Sequence, residues 1–303
     1  MASINKMNLG GGLLNTLYLG ENRINKLYLG ENVIYDATPS GPVINIDDYV
    51  TFEALEDGFT LSLSRNATEY CIDGDGNWQL LSSGSTSPSI SAGQTISFRG
   101  NCTITSSTSS GGIGTFTLNK KCNVRGNSMA LLYGDSGKDN NSLSEKNYAF
   151  SRLFYNATNL VSVSENFLPA TTLSTYCYHY AFYGCSSLTN APSLPSTTLQ
   201  QYCYQYMFNG CSSLTTAPTL PAITLQRYCY QYMFRNCSKL SYIKAMFTTD
   251  PGSSNSSNQA RYTYNWVSGV ASSGTFVKNS SATWSRTGNH AVPSGWTIQT
   301  AAS

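Results

Sequence analysis

Charge is what this chain has least of. Asp, Glu, Lys and Arg make up 11% of its 303 residues, against about 25% in an average soluble domain. Eighteen basic and 16 acidic residues leave a formal net charge of +2. That balance supplies neither the basic stripe expected of a nucleic-acid-binding domain nor an acidic tail. Long apolar runs are also missing: nothing approaches the roughly 18 consecutive apolar residues of a membrane span. The opening MASINKMNLGGG has Lys6 but no apolar signal core and no Ala-x-Ala site, so no export signal is expected.

Histidine is almost absent. His179 and His290 lie far apart, no Cys-x-x-Cys occurs, and a zinc site needs clustered soft ligands. No local Ser/His/Asp or Cys/His grouping is present, and neither is a P-loop or a Gly-x-Gly-x-x-Gly opening a helix. Paired carboxylates are the remaining catalytic option. Asp47, Asp48, Glu53, Glu56 and Asp57 are near one another in sequence, but a glycosidase needs two carboxyls across a cleft. Asp73-Gly-Asp-Gly-Asn77 starts like a calcium loop. It then has Trp78 where Gly is needed and Gly84 where Glu is needed, so a tight turn is expected instead. The expectation is a protein without catalysis, cofactor or bound metal.

What the chain does have is Tyr and repetition. Twenty-one Tyr and 12% aromatics argue against disorder. Three windows share a 26-residue period: CYHYAFYGCSSLTNAPSLPSTTLQQY from Cys177, CYQYMFNGCSSLTTAPTLPAITLQRY from Cys203, and CYQYMFRNCSKLSYIKAMF from Cys229. A degenerate copy, two residues longer, runs from Phe154 to Tyr176. Units this small cannot bury an apolar face alone and must stack. A period of about 20–29 residues suits a leucine-rich-repeat solenoid. Six of the nine Cys fall on this lattice, where they read as columns of small buried, reduced side chains.

Within a unit, Leu199, Tyr202, Cys203, Tyr206 and Met207 keep the spacing of one helix face. Thr197-Thr198 would cap it and Gly210 would end it. Leu214 and Ala217 then read as an extended stretch closed by Pro218 and Pro221. Alternation of Tyr202, Tyr204 and Tyr206 also fits a strand. A short helix is the expectation. Thr189, Thr215 and Thr216 on the extended stretches, with Tyr204 and Tyr230, are the candidate partner-binding surface, because Tyr gives large contact area at low entropic cost.

The motifs AFYGCSSL at 181–188, MFNGCSSL at 207–214 and MFRNCSKL at 233–240 resemble the BspA-type leucine-rich repeat of Bacteroidetes surface proteins. The likeness covers residues 148–247 and implies a solenoid that binds a partner, without naming the partner. Residues 246–259 read as a loop with a Ser/Asn cluster, and the following 264–298 resembles a module that follows such repeats in Bacteroidetes phage and prophage proteins. In that module Trp266, Val267, Val270, Phe276, Val277, Trp284, Trp296 and Ile298 would cover the last open unit.

Residues 43–135 contain period-two runs at 49–52, 59–63, 78–81, 95–98 and 114–118, as in a β-sandwich or barrel. The first forty residues hold a different repeat. Met7-Asn-Leu-Gly10, Leu17-Tyr-Leu-Gly20 and Leu27-Tyr-Leu-Gly30 recur every ten residues, with Gly-Glu-Asn turns between short strands. Leu17, Leu19, Leu27, Leu29, Val33, Ile34 and Tyr35 are too few for a core of their own. This segment resembles the attachment segments of phage virion proteins.

The expected architecture is therefore mainly β with short helices. It comprises an N-terminal β attachment segment (1–40), a β-sandwich-like domain (43–135), a leucine-rich-repeat solenoid (148–247) and a C-terminal cap module (248–303). The expected function is a phage virion structural protein: a head or tail fibre, decoration or receptor-binding appendage. The chain is expected as a homotrimer exposed on the virion, held to capsid or tail proteins by its N-terminus, with its repeats presented to a host-surface glycan or protein. A bacterial cell-surface adhesin of the same repeat class is the alternative.

Overall fold

Alternating apolar and polar residues build the first half of the molecule, because successive strand side chains point to opposite faces. The computed structural model describes residues 17–19, 22–24, 26–29, 32–36, 43–104, 112–251 and 261–302. It is mainly β with few helices, and its sheets are not closed. Near the start, β1 (Leu17–Leu19) pairs antiparallel with β2 (Asn22–Ile24), and β3 (Lys26–Leu29) with β4 (Asn32–Asp36). Met7–Gly10, the Gly-Glu pairs at 20–21 and 30–31, and the Ser/Asn cluster at 252–258 lie outside the described residues. So do the side-chain surroundings of Leu17, Leu19, Leu27, Leu29, Val33, Ile34 and Tyr35.

Strands β5 (Val50–Ala54), β6 (Leu61–Leu63), β7 (Thr68–Ile72), β8 (Gln79–Leu81), β9 (Thr95–Arg99), β10 (Phe116–Leu118) and β11 (Cys122–Gly126) follow, then the short helix α1 (Ala130–Tyr133) and β12 (Leu160–Val163). Six of these strands form one sheet in the order β12-β11-β5-β9-β7-β8, and β6 pairs with β10 in a second. The two sheets meet through aromatic side chains. Phe116 of β10 lies 4.9 Å from Phe52 of β5 and 6.0 Å from Phe98 of β9, all fully buried. Each such ring contributes about 1.5–3 kcal/mol by leaving water. At the end of β11, Gly126 (φ +89°) is required: a Cβ there would lie 1.8 Å from the Tyr49 carbonyl oxygen.

The repeats continue this sheet. β12 belongs to the first repeat unit and pairs parallel with β11. Phe154, also in that unit, stacks 5.6 Å from Phe116. Among the described residues the buried cluster is continuous from Val50 to Trp296.

The helix expected in each unit is not formed. Residues 148–156, 176–184, 202–210 and 228–236 form ribbons of consecutive turns. In the third, Gln205 N–H donates to Tyr202 O (3.3 Å) and Met207 N–H to Tyr204 O (3.2 Å). The alternate amides donate to the next unit instead: Tyr204 to Cys229 O (3.1 Å), Tyr206 to Gln231 O (3.0 Å), Phe208 to Met233 O (3.0 Å). A helix would direct every amide along its own axis. Here half of them tie one unit to its neighbour. Every fourth residue is left-handed, as at Tyr202 (φ +59°), Tyr206 (φ +58°) and Gly210 (φ +80°). For Tyr this costs about 1 kcal/mol or more, offset by inter-unit hydrogen bonds and ring stacking.

The same ribbon recurs a fifth time, where the sequence suggested a separate module. Arg261 (φ +43°), Asn265 (φ +50°) and Gly269 (φ +79°) repeat the left-handed positions. Tyr230, Tyr232, Phe234 and Asn236 donate their amides to Tyr262, Tyr264, Trp266 and Ser268. Strand β13 (Tyr242–Ala245) of the fourth unit pairs parallel with β14 (Thr275–Lys278) of the fifth, and β14 with β15 (Thr297–Thr300). Trp266, Trp284 and Trp296 are all buried, with Trp266 6.1 Å from Phe234 and Trp284 5.4 Å from Phe247. They are core residues and form no exposed aromatic platform.

Candidate binding face

The second, third and fourth ribbons carry aromatic side chains at three positions two residues apart, and stacking turns the positions into columns. The inner column is Phe150, Tyr178, Tyr204 and Tyr230, spaced 5.8, 5.8 and 5.9 Å. Tyr204 and Tyr230 are each only 1% exposed, so their place on a binding surface is corrected: they fill the core between units. The Tyr178 and Tyr204 hydroxyls are buried without a hydrogen-bond partner. Burial pushes the ionisation of Tyr204 and Tyr230 far above the ordinary range.

Two outer columns flank the inner one. Tyr148, Tyr176, Tyr202 and Tyr228 are part-exposed and stacked at 4.6, 4.2 and 4.7 Å. Tyr180, Tyr206 and Tyr232 stack at 4.5 and 4.5 Å. Near-parallel planes at these spacings mean that neighbouring Tyr already cover most ring faces. Edges and hydroxyls remain for a partner. Stacking sets Tyr176 beside Tyr202 (4.2 Å) and Tyr180 beside Tyr206 (4.5 Å), so the neighbouring phenols disfavour one another's ionisation. Partial burial first, and these phenol neighbours second, raise the pKa of Tyr176.

Cations edge the columns. The Arg227 guanidinium lies 4.9 Å from the Tyr228 ring and donates to its hydroxyl at 3.4 Å. Arg235 lies 5.6 Å from Tyr232, Arg152 5.3 Å from Tyr180, and Arg261 4.9 Å from Tyr264. None of the chain's 16 acidic residues falls in a ribbon. Sequence reasoning missed Tyr202, Tyr206, Tyr228, Tyr232, Arg227 and Arg235. The available signal was the Arg beside the outer Tyr at 227 and 235.

Thr189, Thr215 and Thr216 are exposed, as expected. Thr189 and Thr215 occupy equivalent positions in the extended stretches: Thr189 N–H donates to Val161 O (3.0 Å), and Thr215 O accepts from Ser241 (2.9 Å). They therefore belong to a different segment of the unit from the Tyr columns. Beside them a cleft of about 550 Å³ is lined by Asn190, Leu194, Pro195, Pro218 and Pro221, with Glu165 accepting from Ser193 Oγ at 3.1 Å.

Several charged groups elsewhere are engaged with protein partners. Arg99 donates to Glu69 (2.8 Å) and Asp135 (2.6 Å) and packs 4.2 Å from Trp78. Burial works against ionisation of Asp135, but hydrogen bonds from Tyr49 and Arg99 outweigh it and lower its pKa. The carboxylates of the 47–57 run diverge: Asp47 toward Arg125 (3.8 Å), Glu53 toward Asn123 (3.2 Å), Asp57 toward the Ala92 amide (2.9 Å). Asp73 accepts from Thr95 N (2.8 Å) and Gln94 Nε2 (2.9 Å), so both its oxygens serve the turn. Among the described residues no group of three or more His, Cys, Asp or Glu is arranged to hold a metal. All nine Cys are free and buried. The Cys185, Cys211 and Cys237 thiols point at the Phe154, Phe182 and Phe208 carbonyls at 3.0–3.1 Å. His179 is buried with its Nδ1 lacking a hydrogen-bond partner, and its pKa is pushed down to about 3 by desolvation and by Arg152. His290 accepts the Asn265 amide and stacks on Tyr264 at 4.8 Å.

No family model, curated protein or solved structure matches the chain.

Proposed function

We propose that this chain is a non-catalytic display protein of a phage virion, a fibre, decoration or receptor-binding appendage. Residues 1–40 hold it to capsid or tail proteins, and its repeats face the host. On this reading the stacked units are a leucine-rich-repeat-type solenoid, residues 261–302 close its far end, and the particle carries it as a homotrimer. The observation that carries the binding half is the in-register outer Tyr columns, part-exposed and edged by Arg. A rigid row of identical groups suits recognition of a repetitive surface. The pairing of His290 with the Asn265 amide and of Asp135 with Arg99 also favours binding over catalysis.

Mass spectrometry of purified virions tests the location. The chain is expected at stoichiometric abundance, and a chain lacking 1–40 is expected to be absent. Incorporation of the truncated chain at full occupancy would refute the anchoring role. The same repeat face would serve a bacterial cell-surface adhesin, and recovery from cell envelopes rather than virions selects that alternative.

A further inference from the structure

We propose that the ligand of the outer ribbon face is a carboxylated polysaccharide. The proposal rests on the binding reading above and adds its chemical class. Three features of the face select it. First, the charged groups at the columns are cationic: Arg152, Arg227, Arg235 and Arg261, with no acid in any ribbon. A planar guanidinium matches a carboxylate with two parallel hydrogen bonds. Second, the stacked, part-exposed phenols set out hydroxyl oxygens in a row, as the Tyr176/Tyr202 and Tyr180/Tyr206 pairs do. They accept from a ligand rich in hydroxyl donors. Anionic charge and many hydroxyl donors in one polymer describe a uronate-type glycan. Third, ring faces at 4.2–4.7 Å spacing are covered by one another. Single-stranded nucleic acid needs open aromatic faces for its bases to stack on, and this face has few. An acidic peptide supplies carboxylates but few hydroxyls, so the phenol rows would go unused.

The regular spacing gives the face a direction. Phenols repeat once per unit along both columns, and Arg227 and Arg235 sit on the same unit, one beside each column. A polymer laid along the stack meets hydroxyl acceptors at every step and a pair of cations at that unit. Phosphate-rich polymers would satisfy the cations alone.

Affinity electrophoresis of the full chain through gels containing polygalacturonate, alginate, hyaluronan, neutral dextran, polyglutamate or single-stranded DNA tests this. Retardation by at least one carboxylated glycan is expected, with little by dextran, polyglutamate or DNA. The R227Q/R235Q chain should bind that glycan about tenfold or more weakly, from the loss of charge-assisted hydrogen bonds. Y202F/Y228F should weaken binding with the charge intact, a result that simple ion pairing would not give. Both pairs are on the surface columns, and an unchanged melting temperature verifies folding. Retardation by no carboxylated glycan overturns the proposal, as does equal retardation by polyglutamate or DNA. If full-length chain still adsorbs to host cells in that event, the binding reading survives and only the ligand class falls. If the chain retards on glycan but does not adsorb to cells, the ligand class stands and the host-binding role falls.

Discussion

His179 occupies the position held by Gln205 and Gln231 in the next two units, and those two glutamines are hydrogen-bonded to each other. Replacing His179 with Gln extends that ladder and removes a buried titratable group. The groups facing it are the Arg152 charge, the Gln205 side chain and the Tyr176, Tyr180 and Tyr206 rings. Desolvation first, then Arg152, lowers its pKa from 6.5 to about 3. The unfolded chain therefore binds a proton that the folded chain refuses in the window between those values. A depressed folded pKa means that the contribution is complete above about pH 6.5 and is lost as pH falls toward 3, at about 1.4 kcal/mol per unit. Between about pH 7.5 and pH 5, wild type should lose about 2 kcal/mol from this group, and H179Q none of it. Other groups, His290 among them, titrate in both proteins and cancel in the comparison. Urea unfolding of both chains at the two pH values measures the difference. Equal pH dependence in the two proteins would refute the assignment of His179 as a buried neutral imidazole.

The buried Tyr204 hydroxyl has no partner, and the first unit carries Phe150 in the same column. Tyr204→Phe should thus leave stability unchanged or raise it by up to about 1 kcal/mol, whereas Tyr204→Ala should cost about 3–5 kcal/mol by opening a cavity; denaturant midpoints decide, and a large loss in the Phe variant contradicts the column assignment. Burial pushes the Cys177, Cys229 and Cys237 thiols up to about 12, so a thiol reagent should leave the native protein unlabelled and find all nine thiols after denaturation without reductant; recovery of one or two would show disulfides instead. Gly126→Ala should destabilise by more than about 2 kcal/mol, since its Cβ meets the Tyr49 carbonyl at a positive φ; an unchanged melting curve would mean that β11 does not end against Tyr49.

The 26-residue period was readable because identical residues must stack in register, and Cys185, Cys211 and Cys237 do so. The backbone within the period was not. Buried Cys203, Met207 and Cys211 recur every four residues, a spacing shared by a helix and by turns with every fourth residue left-handed. The pattern cannot separate the two when the deciding hydrogen bonds run to another unit. Three alternating Tyr per unit likewise left open which one points inward, and Tyr204 was assigned to the wrong side. β7 was obscured because Tyr70 and Cys71 are buried in succession, whereas β11, in which Asn123 and Arg125 alternate with buried Cys122, Val124 and Gly126, carried a readable pattern that was passed over. The fifth ribbon was hidden by a longer spacing and by the change from Tyr-Cys-Tyr to Arg261-Tyr-Thr-Tyr264, although Asn265 and Gly269 kept the left-handed positions. Of the candidate surface, the Thr residues followed from their place before the prolines, whereas the Arg-edged outer Tyr columns required knowing how the units stack.

Adsorption of purified full-length chains to host cells, with inner-column and outer-face variants side by side, tests the central claim most directly. Y204F/Y230F alters only buried hydroxyls, and R227Q/R235Q alters the edge of the outer columns. The inner pair should adsorb like wild type while the outer pair loses most of its binding; full adsorption by R227Q/R235Q, in a chain that melts like wild type, would contradict the assignment of the ribbon face as the binding surface.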